Sequence, residues 1–169
     1  MQLVLVLAAN KKCNGSSELC SRAFNEVSHI STHASFAMVD SSNSSLPGTQ
    51  YKNIKQQLED GVRGLHLDIY KGSTAGSVNL CFPDCSVING GTLAATLEIV
   101  KAWLDGNPNE VVTIFLDGAE TTADPAAVEQ AFVSSGIDTY MLPSKAETGK
   151  WPTLEKMIAD GTRLVVFAE

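Results

Sequence analysis

Two histidines and two aspartates stand at or near the ends of apolar stretches that are typical of β-strands: His33, His66, Asp68 and Asp117. An imidazole has an unperturbed pKa near neutral pH, so a histidine can act as a general base or a general acid. Carboxylate oxygens are hard ligands that suit calcium or magnesium. These residue types at strand ends indicate an enzyme site rather than an ordinary solvated surface.

The stretch 62–70 shows the pattern most clearly. Period-two alternation puts three apolar residues on one face and three polar residues on the other, namely Leu65, Leu67 and Ile69 against His66, Asp68 and Tyr70. In a parallel barrel one face of each strand packs on helices and the strand ends carry the site. The alternative is an exposed edge strand with solvated polar residues.

Predicted helices alternate with the predicted strands along the chain. Strand-like runs occupy 27–33, 62–70, 111–117 and 163–168, with a weaker one at 139–142. Helical spacing and capping residues predict helices near 51–61, 92–106, 124–136 and 153–158. The alternation predicts an α/β fold with parallel strands. His29 lies deeper on the same inferred face as His33, and we expect it to be structural.

Four motifs follow one another in a distinctive order and spacing: Thr32-His33-Ala34-Ser35-Phe36, Gly64-Leu65-His66-Leu67-Asp68-Ile69-Tyr70, Leu80-Cys81-Phe82-Pro83-Asp84-Cys85 and Trp103-Leu104-Asp105-Gly106-Asn107-Pro108-Asn109-Glu110-Val111-Val112-Thr113. Together they resemble the X region of phosphatidylinositol-specific phospholipase C, and most closely the secreted fungal phospholipase C-like phosphodiesterases. The resemblance covers nearly the whole chain from Cys13 to Glu169. It implies a phospholipase C-like TIM (β/α) barrel.

The resemblance also implies an activity. In the family, one histidine acts as general base and a second as general acid while a phosphodiester is cleaved, such as a phosphoinositide or glycerophosphodiester headgroup. His33 matches the first histidine, and Asp68 matches a carboxylate that orients a histidine or binds a metal. Asp117 falls where calcium-dependent members carry another acidic ligand. Asp68 and Asp117 could therefore hold Ca²⁺ or Mg²⁺.

The departures from the family pattern concern the same site. Ala34 stands where relatives usually have Asn or Asp, His66 where metal-dependent members have a glutamate, and Tyr70 where bacterial members have an arginine. Phe82 stands where the second catalytic histidine is expected, and phenylalanine cannot transfer a proton. His66 either takes over the acid's role or belongs to a hydrogen-bonded network. The sequence thus leaves two functions open, a weakened phosphodiesterase and a non-catalytic binding or effector protein.

The length of the chain bears on the barrel. A closed eight-stranded β/α barrel usually needs about 250 residues, and this chain has 169. We therefore expect one domain over 10–169 that is truncated at its C-terminus and forms about half to two-thirds of a barrel. Its open edge would invite association with another chain.

Several features indicate export. Residues 1–9 are a short apolar run ending in small residues, which resembles a signal-peptide remnant; an extra N-terminal strand is the alternative. Asn14 and Asn43 begin N-glycosylation sequons in turn-prone stretches. These features predict a secreted glycoprotein.

Four cysteines allow three disulfide pairings. The tight spacings favour local bridges between Cys13 and Cys20 and between Cys81 and Cys85, which is also the pairing implied by the fungal relatives. A zinc site is the rival interpretation, but no histidine stands at useful ligand spacing beside these cysteines. Disulfides are typical of secreted proteins.

The charge of the chain limits its partners. The net charge is −7, and no cluster of lysine and arginine is present. This argues against nucleic-acid binding and against electrostatic docking on anionic membranes. A phospholipid headgroup stays compatible, since one phosphate needs few local cations. No run approaches the roughly 20 apolar residues that span a bilayer.

Overall fold

The computed structural model describes residues 11–39, 48–118, 123–144 and 149–168. Its strands are β1 (Ser31–Thr32), β2 (Gly64–Lys71), β3 (Val78–Cys81), β4 (Asn89–Thr92), β5 (Val112–Asp117) and β6 (Leu164–Ala168). Its α-helices are α1 (Ile54–Glu59), α2 (Leu93–Gly106), α3 (Pro125–Ser135) and α4 (Leu154–Asp160). Short 3₁₀ helices lie at Ser17–Leu19, Phe24–Glu26 and Ile137–Tyr140.

Strands β1, β2, β5 and β6 lie side by side in that order and are all parallel. This confirms the predicted parallel arrangement of the four strand-like runs. Strands β3 and β4 instead extend the sheet from β2 as antiparallel neighbours. The sequence did not predict these two strands, which form because a short connection after β2 lets the chain turn straight back along it.

Two predicted strands are shorter or absent. The run at 27–33 forms a strand only at Ser31–Thr32, because the preceding chain has just left a 3₁₀ helix at Phe24–Glu26. The weak strand at 139–142 was wrong. Its first residues end the 3₁₀ helix Ile137–Tyr140, and Met141 makes a single parallel bridge to Leu164.

The helix boundaries follow the predicted caps. The Thr92 side chain accepts a hydrogen bond from the backbone of Ala95 at the start of α2. Asp124 caps α3, and Gly136 ends that helix in the left-handed conformation, with φ at 69°. Helix α1 starts later than predicted, because Asn53 caps it, and Tyr51 is 87% exposed rather than part of the apolar stripe.

The two faces of the sheet differ as the alternation predicts. Leu65, Leu67 and Ile69 of β2 are completely buried in the main core beneath the helices. Burial of each such side chain contributes about 1.5–3 kcal/mol, so the face that points to the helices is strongly specified. His66 and Asp68 point to the opposite face and stay partly exposed. A slip of one residue in β2 would exchange the two sets.

A second apolar cluster joins the N-terminal segment to the sheet. It consists of Cys13, Cys20, Phe24, Val111, Leu154, Met157 and Val165. The Asn14 carboxamide adds a two-point contact, because its Oδ1 accepts from the Val111 N–H at 2.7 Å and its Nδ2 donates to the Val111 carbonyl at 3.2 Å. The segment is thereby fixed at the end of the sheet where β5 begins. Among the described helices, none is long and apolar enough to cross a membrane.

Candidate active site

The register between β2 and β5 brings the predicted polar residues together. His66 lies opposite Phe115, and Asp68 lies opposite Asp117, on the face of the sheet away from the helices. The His66 Nδ1 atom is 3.8 Å from the Asp117 Oδ2 atom. That distance is too long for a hydrogen bond but short enough for ionic attraction when the imidazole is protonated.

His33 reaches the same site from the turn after β1. It is exposed, and the centroid of its ring is 6.4 Å from that of His66. The backbone N–H of Ser35 donates to the His66 carbonyl at 2.9 Å, which ties the turn to β2. Ala34 completes the turn with a φ of 41°, an uncommon conformation for a residue other than glycine. The structure thus places His33 within electrostatic range of Asp68.

Asp68 has the most perturbed environment of these residues. Burial raises the pKa of its carboxyl group, because desolvation disfavours the charged form; His33 opposes the shift and Asp117 adds to it. Its Oδ2 atom is buried and has no hydrogen-bond partner within the described part of the chain. Asp68 and Asp117 line a small depression of about 100 Å³ together with Tyr70. A buried acceptor without a partner is uncommon in folded proteins, and it makes Asp68 a candidate functional residue.

A short disulfide-bonded loop covers one side of the site. Cys81 and Cys85 are bonded to each other, and Phe82 between them lies 5.3 Å from His33, centroid to centroid, with the rings at 87°. The Tyr70 hydroxyl donates to the Pro83 carbonyl at 2.6 Å. The loop is therefore held at both the bridge and its tip, and it keeps Phe82 against the imidazole.

The inner face of the sheet, which is the face away from the helices that carries His66 and Asp68, also carries stacked rings that were not predicted from the sequence. His66 stacks on Phe115 at 4.5 Å, and Phe115 stacks on Phe167 at 5.4 Å. Trp151 lies beyond them, 6.2 Å from Phe167. The alternation of β5 could have revealed Phe115, since it shares a face with Asp117. Stacking on Phe115 restricts the orientation of the His66 ring.

Comparison with known proteins identifies the family. A family profile, PI-PLC X 1, matches residues 19–169. The chain belongs to the PI-PLC X family. A PI-PLC X domain-containing protein of Arthroderma benhamiae is 33% identical over 160 residues, which are 93% of this chain and 50% of that protein. An uncharacterized secreted protein of the same organism is 29% identical over 161 residues, 94% of this chain and 35% of that protein.

Solved structures show the same fold. A phosphatidylinositol-specific phospholipase C from Staphylococcus aureus aligns with a TM-score of 0.69 at 18% identity, covering 89% of this chain and 50% of that one. The enzyme from Listeria monocytogenes gives a TM-score of 0.61 at 18% identity, covering 96% and 54%. The predicted phospholipase C-like TIM-barrel fold is confirmed. This PI-PLC X chain spans about half the length of the first of these relatives and of both solved structures.

The remaining histidine of the PI-PLC X chain lies apart from the site. His29 stacks on Phe24 at 5.4 Å, in the N-terminal segment. Burial lowers its pKa, and the positive charge of Arg63 lowers it further, so His29 favours the neutral form. This agrees with the structural role expected for His29.

The cysteines are paired as predicted, Cys13 with Cys20 and Cys81 with Cys85. The zinc alternative is therefore wrong.

Residues 1–9 and Asn43 lie outside the described residues, so the signal-peptide and Asn43 glycosylation hypotheses stay predictions. Glycosylation of Asn14 also stays a prediction, although its carboxamide is already engaged with Val111.

The donor set for a metal ion is small. In the ranges that the structure describes, no group of three or more His, Cys, Asp or Glu side chains is arranged to hold one. Asp68 and Asp117 offer two neighbouring carboxylates. Mg²⁺ is commonly held by one or two carboxylates while water and substrate phosphate complete its shell, whereas Ca²⁺ takes six to eight oxygens. This pair fits a Mg²⁺-like ion completed by substrate better than a preformed Ca²⁺ cage.

Proposed function

We propose that this chain forms the His33-bearing part of a phosphodiesterase site that cleaves a phospholipid headgroup ester. The observation that carries the proposal is the exposed His33 imidazole within electrostatic range of Asp68, which the strand register puts opposite Asp117, in a PI-PLC-like fold. The exposed His33 imidazole accepts the proton of an attacking hydroxyl group. The resulting oxygen nucleophile displaces the leaving-group oxygen from phosphorus, and that oxygen then needs a proton.

The site lacks an evident donor for the proton that the leaving group needs. Phe82 occupies the position of the second family histidine and supplies none. Loss of a positioned acid typically costs about two to four orders of magnitude in rate. His66 is the other imidazole at the site, but its ring is stacked on Phe115. We therefore infer slow cleavage, with His66 or water delivering the proton.

Asp68 and Asp117 are proposed to hold a divalent cation when substrate binds. The buried Asp68 Oδ2 atom has no partner in the described ranges and is the strongest candidate ligand. A bound cation would neutralise phosphate charge, which matters because Tyr70 stands where bacterial relatives carry an arginine. The ion would also favour the ionised form of Asp68, against the effect of burial.

A non-catalytic binding protein is the second candidate. The observation that favours it is the edge contact of Phe82 with His33, which puts an apolar ring where the family resemblance would place the acid. In that case the carboxylates and the rings of the inner face would bind a headgroup without cleaving it.

We propose a secreted location. A relative of this chain is a secreted protein, and both disulfides are of the kind that persists in oxidising compartments.

The test is an assay of the purified chain on phosphatidylinositol and on a glycerophosphodiester, each with Mg²⁺, with Ca²⁺ and with EDTA. The proposal expects phosphate-ester release that depends on His33. Headgroup binding by calorimetry without any release would instead support the binding protein. Neither release nor binding in any condition would overturn both.

A further inference from the structure

The backbone of His33 is held by side chains from the segment that precedes α1. The His33 carbonyl accepts a hydrogen bond from the Thr49 hydroxyl at 3.0 Å and another from the Gln50 Nε2 atom at 2.7 Å. The Thr49 hydroxyl also lies 3.1 Å from the Ala34 carbonyl. Side chains of another segment thus hold the carbonyl groups of His33 and Ala34, in the turn where Ala34 has a left-handed conformation.

Gln57 of α1 holds the same turn from the other side. Its Nε2 atom donates to the Ser35 carbonyl at 2.8 Å and to the Lys52 carbonyl at 2.6 Å. Its Oε1 atom accepts from the Thr32 hydroxyl at 2.8 Å. Gln57 is only 4% exposed, and both of its amide hydrogens are used.

Thr32 and Ser35, the partners of Gln57, flank His33 on both sides. Their hydroxyl groups are 2.8 Å apart, and the Ser35 hydroxyl donates to the Thr32 carbonyl at 2.9 Å. The backbone N–H of Ser35 in turn donates a hydrogen bond to the His66 carbonyl on β2. A displacement of the Gln57 amide therefore moves the whole turn relative to the strand that carries Asp68.

We propose that Gln57 and Thr49 are positioning residues that aim the His33 imidazole at the Asp68–Asp117 pair. The proposal rests on the function assigned above to His33. Neither side chain touches the reacting atoms in this scheme, and both act through the turn 32–35. A misplacement of about 1 Å can cost a hundredfold in rate, so a small rotation of the turn is enough to matter.

The first variant is Gln57→Met, which keeps the length of the side chain and removes all three hydrogen bonds. Gln56→Met is the matched control, because Gln56 is in the same helix but is exposed and bonds only within the Asn53 cap. In the full chain we expect Gln57→Met to lower kcat by about tenfold to a hundredfold with KM within about twofold. The control should change kcat by less than about twofold.

The deciding readout does not need activity. The chain has three histidines, so imidazole C–H signals in an NMR spectrum at a fixed pH report on His33, His66 and His29 separately. We expect Gln57→Met to shift the His33 signal while the His29 signal stays unchanged. Thr49→Val, at a partly exposed position, should shift His33 in the same way and decides the question should Gln57→Met not fold.

A His33 signal identical to that of the wild type in folded variants would overturn the positioning role. An inactive wild-type chain whose His33 signal still responds would overturn only the proposed function. The two failures are therefore distinguishable.

Discussion

The rings of Phe82 and His33 meet at 87°, with centroids 5.3 Å apart. An apolar ring therefore lies directly against His33, at the position where the family resemblance would place a second histidine. The Cys81–Cys85 bridge and the Tyr70 hydroxyl hold it there. On the function proposed above, the loop holds this position in place but offers no proton donor there.

Phe82→His should raise phosphodiester cleavage by about a hundredfold, because a positioned general acid contributes about two to four orders of magnitude. The gain should appear in kcat rather than KM, since proton transfer acts in the transition state. Initial rates on phosphatidylinositol measure it. Phe82→Leu is the control, because it opens the site without adding an acid. An equal gain in both variants would show that steric cover, and not the missing acid, limits the rate.

The variant His66→Ala tests whether His66 substitutes for the acid. If it does, His66→Ala should lower the wild-type rate by at least about tenfold and have a much smaller effect when Phe82→His is present. A double-mutant cycle on kcat measures this coupling. Equal effects in both backgrounds would assign His66 to the aromatic stack instead.

His33→Ala should remove the measured cleavage, with a loss of about two to four orders of magnitude. The exposed side chain makes few packing contacts, so the thermal unfolding midpoint should change little. Rates and circular dichroism on the same preparation test both statements. Cleavage that survives intact would mean that another group abstracts the proton.

Asp68→Asn should make the protein more stable at pH 7. Burial raises the pKa of Asp68 in the folded protein, so its contribution to stability is present below the unfolded value of 3.8 and is lost as the pH rises through the folded value. Asparagine avoids this loss, and its advantage should shrink toward acidic pH. Urea midpoints between pH 4 and pH 7 measure the difference, with the exposed Asp138→Asn as control.

The Asp68→Asn variant also tests whether a metal ion binds at Asp68. If the ion binds at Asp68, Mg²⁺ should raise the unfolding midpoint of the wild-type chain in the presence of a headgroup phosphate, and not that of Asp68→Asn. A wild type that is indifferent to Mg²⁺ and Ca²⁺ would count against the metal proposal.

Replacing Cys81 and Cys85 together by serine should lower the free energy of unfolding by about 2 kcal/mol, the value expected for closure of so short a loop. It should also free the loop that carries Phe82, so that His33 reacts faster with an imidazole-modifying reagent. The pair Cys13 and Cys20, replaced in the same way, is the control. That bridge lies in the N-terminal segment, so its loss should cost similar stability without changing the reactivity of His33.

The sequence predicted the parts of the site that depend on alternation. Strand β2 has the expected apolar and polar faces, and its register with β5 puts Asp68 beside Asp117. Local caps such as Thr92 and Asp124 were also predictable, because capping depends on a few neighbouring residues.

The remaining features depend on contacts between distant segments. Strand β4 is an exposed stretch, Asn89–Thr92, whose pairing with β3 no hydrophobic pattern reveals. The stack of His66, Phe115 and Phe167 depends on the order of strands in space. The hydrogen bonds of Gln57 likewise depend on where α1 packs, and glutamine in a short helix gives no such signal.

The Asn14 carboxamide cannot both hold Val111 and carry a glycan. Its bonds to the N–H and C=O of Val111 use the amide hydrogen on the same side as Oδ1. A sugar attached to Nδ2 prefers that same side, since the opposite arrangement of a secondary amide costs about 2.5 kcal/mol. If Asn14 is a glycosylation site, glycan transfer has to precede closure of the N-terminal segment, and a chain that closes first should stay unmodified there. Partial occupancy of Asn14 by a glycan would make the intact mass of the secreted protein heterogeneous, and this heterogeneity should disappear in Asn14→Asp.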